Sequence, residues 1–304
     1  MFVVKYRKIF YTLSAVLVLV SIFALAKWHL NLSIDFKGGA LVEVNYPNGR
    51  PTKEALDVNL KPLNIDASVL PTGDTGYIIR TANLDEAQHA ELLQVLSNNN
   101  TANIEVKRFD TVGPILGSEL RGKSLVSIIL VILAIVLFIT YAFRKVSKPV
   151  SSWIYGLIAI VALLHDVIVP TGVFAFLGHF KGIEVDTLFV TAILVILGFS
   201  IHDTIVVFDR TRENLRVNHD KGIKEDFEHT VGKSVSQTFA RSINTSLTVV
   251  LILLVLYFMG PETTKNFALA LLVGIVAGTY SSIFLGSPLL VTIAKWQEKK
   301  RSKK

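Results

Sequence analysis

One aspartate, Asp203, lies inside an apolar run of the sequence that is long enough to cross a membrane. It belongs to the stretch GFSIHDTIVVFDR, and Asp209 and Arg210 mark the end of that run six residues later. At about 1.5 Å per helical residue, this spacing places the carboxyl group roughly 9 Å inside the membrane. An ionisable group at that depth is costly unless it has a partner, a hydrated cavity or a task, so Asp203 is the first candidate for chemistry.

Arg241 is the basic residue best placed to pair with Asp203. It stands near the start of the next apolar run, and a polar segment joins the two runs, so both residues reach similar depths on neighbouring helices. We predict an ion pair in which the carboxyl group is either ionised beside the guanidinium or protonated with the arginine released. The alternative is a static buried pair that only fixes the register of the helices.

Two further polar residues, His165 and Asp166, lie near the middle of another apolar run. The histidine could relay protons, and the aspartate could form a hydrogen bond across helices. Adjacent helical side chains point about 100° apart, so the two need not face the same cavity. Polar packing between helices is the alternative for both residues.

A cluster of charged residues follows Asp203 at the end of its apolar run. It contains Asp209, Arg210 and Glu213. We interpret the cluster as a solvated helix end with local ion pairs. The same residues could also couple this helix to the polar segment that follows it.

The stretch DFKGG places Asp35 shortly before two adjacent glycines, Gly38 and Gly39. Paired glycines favour a turn or bulge, because they adopt backbone angles that other residues avoid. We therefore assign this motif a structural role, in which it ends the first apolar segment and begins a strand.

The composition predicts an integral membrane protein. Of 304 residues, 51% are hydrophobic and 18% are charged, and the mean hydropathy is +0.51. The net charge of +7 comes from short clusters beside apolar runs, which argues against a nucleic-acid partner. The absence of cysteine excludes disulfides and thiol catalysis. We find no metal-ligand cluster and predict no cofactor and no metal, so energy must come from an ion gradient or a partner.

Six apolar runs approach or exceed the roughly 20 residues that a spanning helix needs. They cover residues 9–26, 124–143, 151–178, 185–208, 239–259 and 267–294. The first run follows basic residues and ends in ALA, so a cleaved signal peptide is an alternative for it. Its length favours an uncleaved anchor.

Lysines and arginines predict the orientation. The N-terminal tail, residues 144–148, residues 209–237 and the tail from residue 295 hold 3, 3, 6 and 6 of them, against one in each of the short loops 179–184 and 260–265. By the positive-inside rule, the N- and C-termini are both expected to be cytoplasmic.

Residues 28–123 are expected to form the one sizeable soluble domain, outside the membrane. The pattern predicts a strand in LSIDFKGGALVEVNY, a helix in PTKEALDVNLKPL with proline just inside its start, two strands around a Gly-rich turn in ASVLPTGDTGYIIRTA, a helix in LDEAQHAELLQVLSNN and a strand in ANIEVKRFDTV. The order β-α-β-β-α-β is that of a ferredoxin-like split fold. The predicted fold class is therefore a polytopic α-helical membrane protein, with a six-helix transmembrane bundle and a ferredoxin-like α+β extracytoplasmic domain between spans 1 and 2.

The predicted division of the chain has four parts. They are 1–27 for the cytoplasmic N-terminus and first helix, 28–123 for the outer domain, 124–294 for helices two to six with a cytoplasmic loop at 209–238, and 295–304 for a basic cytoplasmic tail. The loop is expected to include an interfacial helix. A GxxxG pattern at residues 274–278 predicts close packing against another helix, with a partner subunit as one option.

Five motifs resemble the SecF family of protein-export membrane subunits. They are IDFKGG after the first span, VGPILGSELRGKS before the second, LLHDV in the third, GFSIHDTIVVFDRTREN at the end of the fourth and QTFARSINTS at the start of the fifth. The motifs occur in the family's order and cover nearly the whole chain. The sequence departs from the family at His202, where asparagine is commoner, and at Phe199, where tyrosine is frequent.

This resemblance implies a transporter subunit of the resistance-nodulation-division group and no enzymatic activity. It implies a heterodimer with SecD beside the channel subunits of the Sec translocon, in contact with the exported preprotein and membrane lipids. It also implies late-stage export driven by the proton motive force, with Asp203 and Arg241 as the proton-coupling pair. The implied location is a bacterial or archaeal cytoplasmic (inner) membrane.

Two other functions remain open at this point. A non-catalytic scaffold would stabilise the translocon without responding to a proton gradient. An intramembrane aspartyl protease would need Asp166 and Asp203 within a few Å of each other. The glycine-x-glycine-aspartate signature of such proteases is missing, and SIHD stands in its place.

Overall fold

The computed structural model describes residues 2–63, 65, 67–82, 84–97, 103–144 and 150–302. The chain divides into two compact units. The helical unit comprises Met1–Asn31, Val126–Ile183 and Leu188–Lys304, and the α/β unit comprises Leu32–Leu125 and Glu184–Thr187. The short segment Glu184–Thr187 is thus grouped with the α/β unit, although the chain on either side of it belongs to the helical unit.

The elements follow one another along the chain with short connections. In order they are α1 (Phe2–Lys5), α2 (Arg7–Trp28), α3 (Ile34–Lys37), β1 (Gly39–Asn45), α4 (Lys53–Leu60), a 3₁₀ turn (Lys61–Leu63), β2 (Ser68–Thr72), β3 (Gly76–Thr81), α5 (Glu86–Leu96), β4 (Glu105–Val112), α6 (Pro114–Ala142), α7 (Ser152–Lys181), α8 (Thr187–Asp220), α9 (Phe227–Met259), α10 (Glu262–Tyr280), a π-helical turn (Ser281–Gly286) and α11 (Ser287–Arg301).

Within the described residues, six helical stretches are long and apolar enough to cross a membrane. They are α2, α6, α7, α8, α9 and the continuous stretch from α10 through the π-helical turn into α11. The prediction of six spans is confirmed, and the chain is a multi-pass membrane protein. The buried share is small in α2, α6 and α9 and largest in the last stretch.

The segment predicted as a cytoplasmic loop, 209–238, is largely helical. α8 continues to Asp220 and α9 already begins at Phe227, so only a short turn separates them. The Asn214 amide donates to Ser234 Oγ and to Gln237 Oε1, both at 2.9 Å, which holds the two extensions side by side. The expected interfacial helix is therefore wrong, because buried polar contacts pair these helices with each other.

The turn between α8 and α9 is closed by Glu225. Its carboxylate accepts hydrogen bonds from Asn218 at 2.7 Å and from Thr230 at 2.9 Å. The hydrogen bond from Asn218 is the main reason why the pKa of Glu225 lies below its usual value. The ionised side chain thus ties the end of α8 to the first turn of α9.

The α/β unit contains a four-stranded antiparallel sheet with the strand order β2-β3-β1-β4. One face of the sheet is covered by α4 and α5, and the core between them is apolar. Its buried members are Val42, Val44, Tyr46, Leu56, Leu60, Val69, Tyr77, Ile79, Leu92 and Leu96. The alternation along β1 and β3 sends every second side chain into this core, as the strand patterns predicted.

The first predicted strand begins later than expected. Residues Ile34–Lys37 form the short helix α3, because the Ser33 hydroxyl accepts the Asp35 N–H at 3.2 Å as a helix cap. Gly38 then takes a φ of +78° and Gly39 a φ of +138°, and β1 starts at Gly39. The proline predicted inside α4 also lies outside it, since Thr52 caps that helix and Pro51 precedes the cap.

The two glycines of DFKGG stand where no larger side chain fits. A methyl group on Gly38 would lie 2.8 Å from Pro114 Cα, and one on Gly39 would collide with the carbonyl oxygen of Thr81. The predicted structural role of the pair thus has a steric reason, because the start of α6 and the end of β3 both approach this turn.

We expect Gly39→Ala to lower the stability of the protein, because alanine meets both an unfavourable φ and the Thr81 carbonyl. The cost should be about 1–3 kcal/mol, typical of a residue held in a sparsely populated backbone region. Thermal unfolding of the purified protein measures it. Gly113→Ala is the matched control, since nothing lies within 4 Å of the added methyl group. Equal unfolding midpoints for the two variants would contradict the steric argument.

Candidate functional site

Asp166 is the centre of a hydrogen-bonded cluster inside the helical unit. Its side chain is fully buried, and Oδ1 lies 2.9 Å from Nδ1 of the neighbouring His165. Oδ2 accepts hydrogen bonds from Ser281 Oγ at 2.8 Å and from Ser200 Oγ. One carboxyl group therefore joins α7, α8 and the π-helical turn that follows α10.

The approach of these helices depends on glycines in α10. A methyl group on Gly274 would collide with the Ile196 side chain, and one on Gly278 would lie 2.9 Å from Ser200 Cβ. The GxxxG pattern therefore packs α10 against α8 of the same chain. The option that this pattern faces a partner subunit is wrong, because both of its glycines are already covered by α8.

The π-helical turn continues the cluster toward the second aspartate. Ser282 Oγ donates to the Gly278 and Ser200 carbonyl oxygens at 2.8 and 3.1 Å and lies 2.9 Å from Thr204 Oγ1. A π-helical turn inserts an extra residue into a helix, and such turns frequently mark functional sites. In this turn Ser281 reaches Asp166 on α7, and the next residue, Ser282, reaches Ser200 and Thr204 on α8.

Asp203 lies on α8 one turn beyond Ser200, and 3% of its surface is exposed. Its carboxyl group faces the hydroxyl groups of Ser242 and Ser246 on α9, but Ser246 Oγ donates to the Ser242 carbonyl oxygen and lies 2.6 Å from Thr279 Oγ1. Nevertheless, Asp203 Oδ2 and Ser242 Oγ each lack a hydrogen-bond partner among the described residues. Asp203 is thus a buried carboxyl group whose polar surroundings are incomplete.

Arg241 does not form the predicted ion pair with Asp203 in the described part of the chain. Its side chain is exposed, whereas the next residue, Ser242, is buried and faces Asp203. The sequence predicted the depth of Arg241 correctly but not its direction, since adjacent helical residues point about 100° apart.

Arg241 instead lines a groove of about 460 Å³ between the ends of α8 and α9. The other charged residues along this groove are Asp209, Arg210 and Glu213. Arg210 pairs with Glu213 at 2.6 Å and donates to Gln237 Oε1 at 2.7 Å. Asp209 pairs with Arg212 at 2.5 Å. These are local pairs on an exposed helix end, and such pairs contribute little to stability.

The two buried aspartates, Asp166 and Asp203, are not bonded to each other in the described structure. The two carboxyl groups have different neighbours. Ser200 on α8 and Ser281 in the π-helical turn donate to Asp166, whereas Ser242 on α9 faces Asp203. A protease dyad needs two carboxyl groups that share one proton. The arrangement therefore gives no support to the aspartyl protease. The described residues also contain no group of three or more potential metal ligands.

The sequence reasoning missed the hydroxyl side chains that surround the two aspartates on α8 and α9. They are Ser200, Thr204, Ser242 and Ser246, and all four are buried. Their spacing was the available signal, because Ser200 and Thr204, like Ser242 and Ser246, are four residues apart and share a helix face. Small hydroxyl residues on one face of a spanning helix indicate an interhelical hydrogen-bond surface.

Comparisons with known proteins agree on one family. Residues 92–296 match the family described as protein export membrane protein SecD/SecF, C-terminal. The protein translocase subunit SecF of Thermobaculum terrenum is 42% identical, with 98% of this chain and 94% of that protein covered. The SecF of Synechocystis is 35% identical, with 97% of this chain and 95% of that protein covered.

Solved structures of SecDF resemble the whole fold. The crystal structure of SecDF from Thermus thermophilus matches with a TM-score of 0.82 at 30% identity. The match covers 97% of this chain and 38% of the SecDF chain. A SecDF structure in a super-membrane-facing form matches with a TM-score of 0.65 at 28% identity, covering 100% of this chain and 39% of that one. This chain therefore spans well under half the length of the solved SecDF chains.

We expect Asp166→Ala to destabilise the protein, because the Ser200 and Ser281 hydroxyls and His165 Nδ1 would lose their shared partner. The cost should be about 1–3 kcal/mol, as for other buried polar groups left unpaired. Asp166→Asn should cost less, since its amide oxygen still accepts hydrogen bonds. Thermal unfolding in detergent measures both, and Asp209→Ala, at an exposed position on α8, is the control. An Asp166→Ala protein that unfolds at the same temperature as this control would contradict the prediction.

Proposed function

The chain belongs to the SecD/SecF family of protein-export membrane proteins, and we propose that it is an accessory subunit of the Sec protein translocase that couples late-stage export to the proton motive force. The relatives that match it over nearly their whole length are named protein translocase subunit SecF. The proposal makes it an ion-gradient-coupled transporter subunit and not an enzyme.

The observation that carries the proposal is that Asp203 is buried while its carboxyl group lacks a full set of hydrogen bonds. A carboxyl group inside a spanning helix without full hydrogen bonding is costly in its charged form, so a proton or a cation has a strong effect on its surroundings. In the structure the carboxyl group faces Ser242 and Ser246 on α9. We propose that this is the protonated arrangement.

Arg241 supplies the second arrangement. It lies directly before Ser242 on α9, and its guanidinium is exposed at the groove between α8 and α9. We propose that loss of the proton from Asp203 draws Arg241 toward the carboxylate, which requires α9 to turn or shift against α8. Proton binding and release at Asp203 would then change the packing of α9 against α8, and this movement would drive export.

SecD is the proposed partner. The solved SecDF chains that resemble this protein are much longer than it is, and this chain corresponds to 38% of one of them. We infer that this chain works with SecD as a heterodimer beside the translocon channel, where they contact the exported preprotein. Exposed apolar side chains along α6, such as Ile129, Leu133 and Leu137, suit contact with membrane lipids.

We propose that the α/β unit is an extracytoplasmic domain of the ferredoxin-like class. Its β-α-β-β-α-β order and its strand order β2-β3-β1-β4 support the class. Its position between the first two spans, together with the basic residues on the opposite side, supports the placement. The termini and the turn between α8 and α9 would then be cytoplasmic, in the inner membrane of the cell.

Proton coupling predicts that Asp203→Asn abolishes the stimulation of export by a proton gradient. Asparagine keeps the size and the hydrogen bonds of aspartate but cannot ionise. Arg241→Met should fail in the same way, because the ionised carboxylate would lose its proposed partner. Export of a secretory substrate into membrane vesicles, with and without an imposed gradient and after the ATP-driven stage is complete, measures the effect.

Asp220→Asn is the matched control, since this aspartate lies at the exposed end of the same helix. Protein abundance and copurification with SecD must be equal in all variants, because an unpaired buried charge also destabilises folding. If Asp203→Asn vesicles respond to the gradient like the parent, the protein is a scaffold and the proton-coupling role is wrong.

The proposed topology predicts which positions face outward. The chain has no native cysteine, so single cysteines report cleanly. Asp74→Cys should react with an impermeant thiol reagent in intact cells, because Asp74 is in the β2-β3 turn of the outer unit. Lys221→Cys and Ser302→Cys should react only after the membrane is opened. Labelling of position 221 from outside would refute the six-span orientation.

A further inference from the structure

The junction between α7 and α8 belongs to the α/β unit. α7 ends at Lys181 and α8 begins at Thr187, and the residues Glu184–Thr187 cluster with the unit that contains the sheet. α7 carries Asp166 and α8 carries Asp203. The two helices with buried carboxyl groups are therefore joined through residues of the other unit.

The junction is attached to the α/β unit by its backbone. Val185 forms a parallel β-bridge with Leu32, and the Ser33 N–H donates to the Val185 carbonyl oxygen at 2.9 Å. Val185 is also buried, with 3% of its surface exposed. Backbone hydrogen bonds to a buried residue fix the position of the segment and not only that of one side chain.

Asp35 attaches the first residue of α8. Its Oδ2 accepts hydrogen bonds from the Thr187 N–H at 3.0 Å and from Thr187 Oγ at 2.9 Å. The first N–H groups of a helix lack partners within the helix, and a carboxylate also favours the positive end of the helix dipole. Asp35 therefore acts as a cap for α8 from a distant part of the sequence. The aspartate of DFKGG therefore holds the start of α8, a role separate from the turn that the two glycines form.

Arg80 and Glu184 attach the other end of the junction. Arg80 Nη1 on β3 lies 3.0 Å from Glu184 Oε1, and both side chains are more than four-fifths buried. This contact is an ion pair without hydrogen-bond geometry, since Arg80 Nε and Nη1 and Glu184 Oε2 have no hydrogen-bond partner among the described residues. Burial raises the pKa of Glu184, against the opposing effects of Arg80 and Lys37, while Asp186 and Asp35 raise it further. A buried pair of this kind adds little net stability, and its value lies in fixing one geometry.

We propose that Asp35, Arg80 and Glu184 are positioning residues that keep the α7–α8 junction attached to the α/β unit throughout the export cycle, so that displacement of the two helices moves that unit. We call the three residues the junction latch. The inference rests on the proposed function, because it assigns the outward transmission of the change at Asp203 to a specific set of contacts.

The contacts within the α/β unit favour a junction that stays bound to this unit over one that opens. A backbone bridge, a two-fold cap and a buried ion pair act on a junction of a few residues, so releasing it would expose several polar groups at once. A junction that stays closed loses none of them.

The test uses a variant in which the latch is removed without leaving a lone buried charge. Asp35→Ala/Arg80→Met/Glu184→Leu replaces the pair with apolar residues, a change that buried ion pairs usually tolerate. The matched control is Asp74→Ala/Arg108→Met/Asp110→Leu, which removes an exposed ion pair and one exposed carboxylate from the same unit. Equal abundance and equal thermal unfolding midpoints establish that both variants fold.

Two readouts are compared, export stimulated by the proton gradient and hydrogen exchange of β1 and β3. In the parent, Asp203→Asn should change exchange in these strands, whereas in the latch variant it should not. The stimulation of export by the proton gradient should fall about fivefold or more in the latch variant, because ordinary coupling between two sites changes an equilibrium by at least about fivefold. It should stay unchanged in the control.

A disulfide then replaces the latch. Leu32 and Val185 are bridge partners, so their Cα atoms lie at about the 4.8 Å spacing of neighbouring strands, within disulfide range. Leu32→Cys/Val185→Cys in the latch variant should restore both readouts on oxidation and lose them again on reduction. A simple folding role would not give this reversible response.

Four results would overturn the inference. They are a latch variant that transmits like the parent, a parent in which Asp203→Asn leaves exchange unchanged, a disulfide that fails to rescue, and a disulfide that blocks export in the parent background, which would mean that the junction must open. In a different outcome, Asp203→Asn changes hydrogen exchange in β1 and β3 of the parent, but export by the parent does not respond to the gradient. That result would contradict the proposed function and would still support the junction latch.

Discussion

The packing of the central helices depends on one buried carboxyl group, that of Asp166. In the hydrocarbon core of a membrane a buried polar group must find its hydrogen-bond partners within the protein. Ser200 and Ser281 supply two hydroxyls to the same oxygen, and Gly278 lets α10 approach α8 closely enough for Ser281, the first residue of the π-helical turn, to take part. The glycines, the irregular turn and the serines are thus three consequences of one requirement.

Asp203 differs from Asp166 in its surroundings, and this difference separates their proposed roles. Asp166 has partners for both of its oxygens, whereas one oxygen of Asp203 has none among the described residues. A fully satisfied carboxyl group fixes a helix contact, and a change in its charge would disrupt three helices at once. An incompletely satisfied one can change its partner at lower cost. We therefore propose that Asp203 binds and releases the proton and that Asp166 holds the helices together.

The sequence predicted elements and depths well and directions poorly. Hydropathy identified six spans, and the strand-like patterns identified the four strands along the chain. The sequence reasoning placed Arg241 at the correct depth but on the wrong side of α9. It also considered a partner subunit as the surface that packs against the GxxxG pattern. Those features depend on which neighbour a helix face meets, and the chain encodes this only through the joint packing of distant residues. The π-helical turn does have a local signal, since it ends in Gly286 and Pro288 follows, and proline has no N–H to donate within a helix.

Asp35 illustrates how a residue can be recognised in a motif and still be misread. The glycines beside it have a local explanation, since Pro114 and Thr81 leave no room for a side chain at their positions. The carboxyl group has no such local task, because its partner, Thr187, follows it by 152 residues. The turn at Gly38 and Gly39 holds α3 at one place in the α/β unit, and only from that place can Asp35 reach the start of α8. The glycines and the aspartate of DFKGG therefore form one device: the backbone turn sets the position, and the carboxylate uses it to hold the helix that carries Asp203.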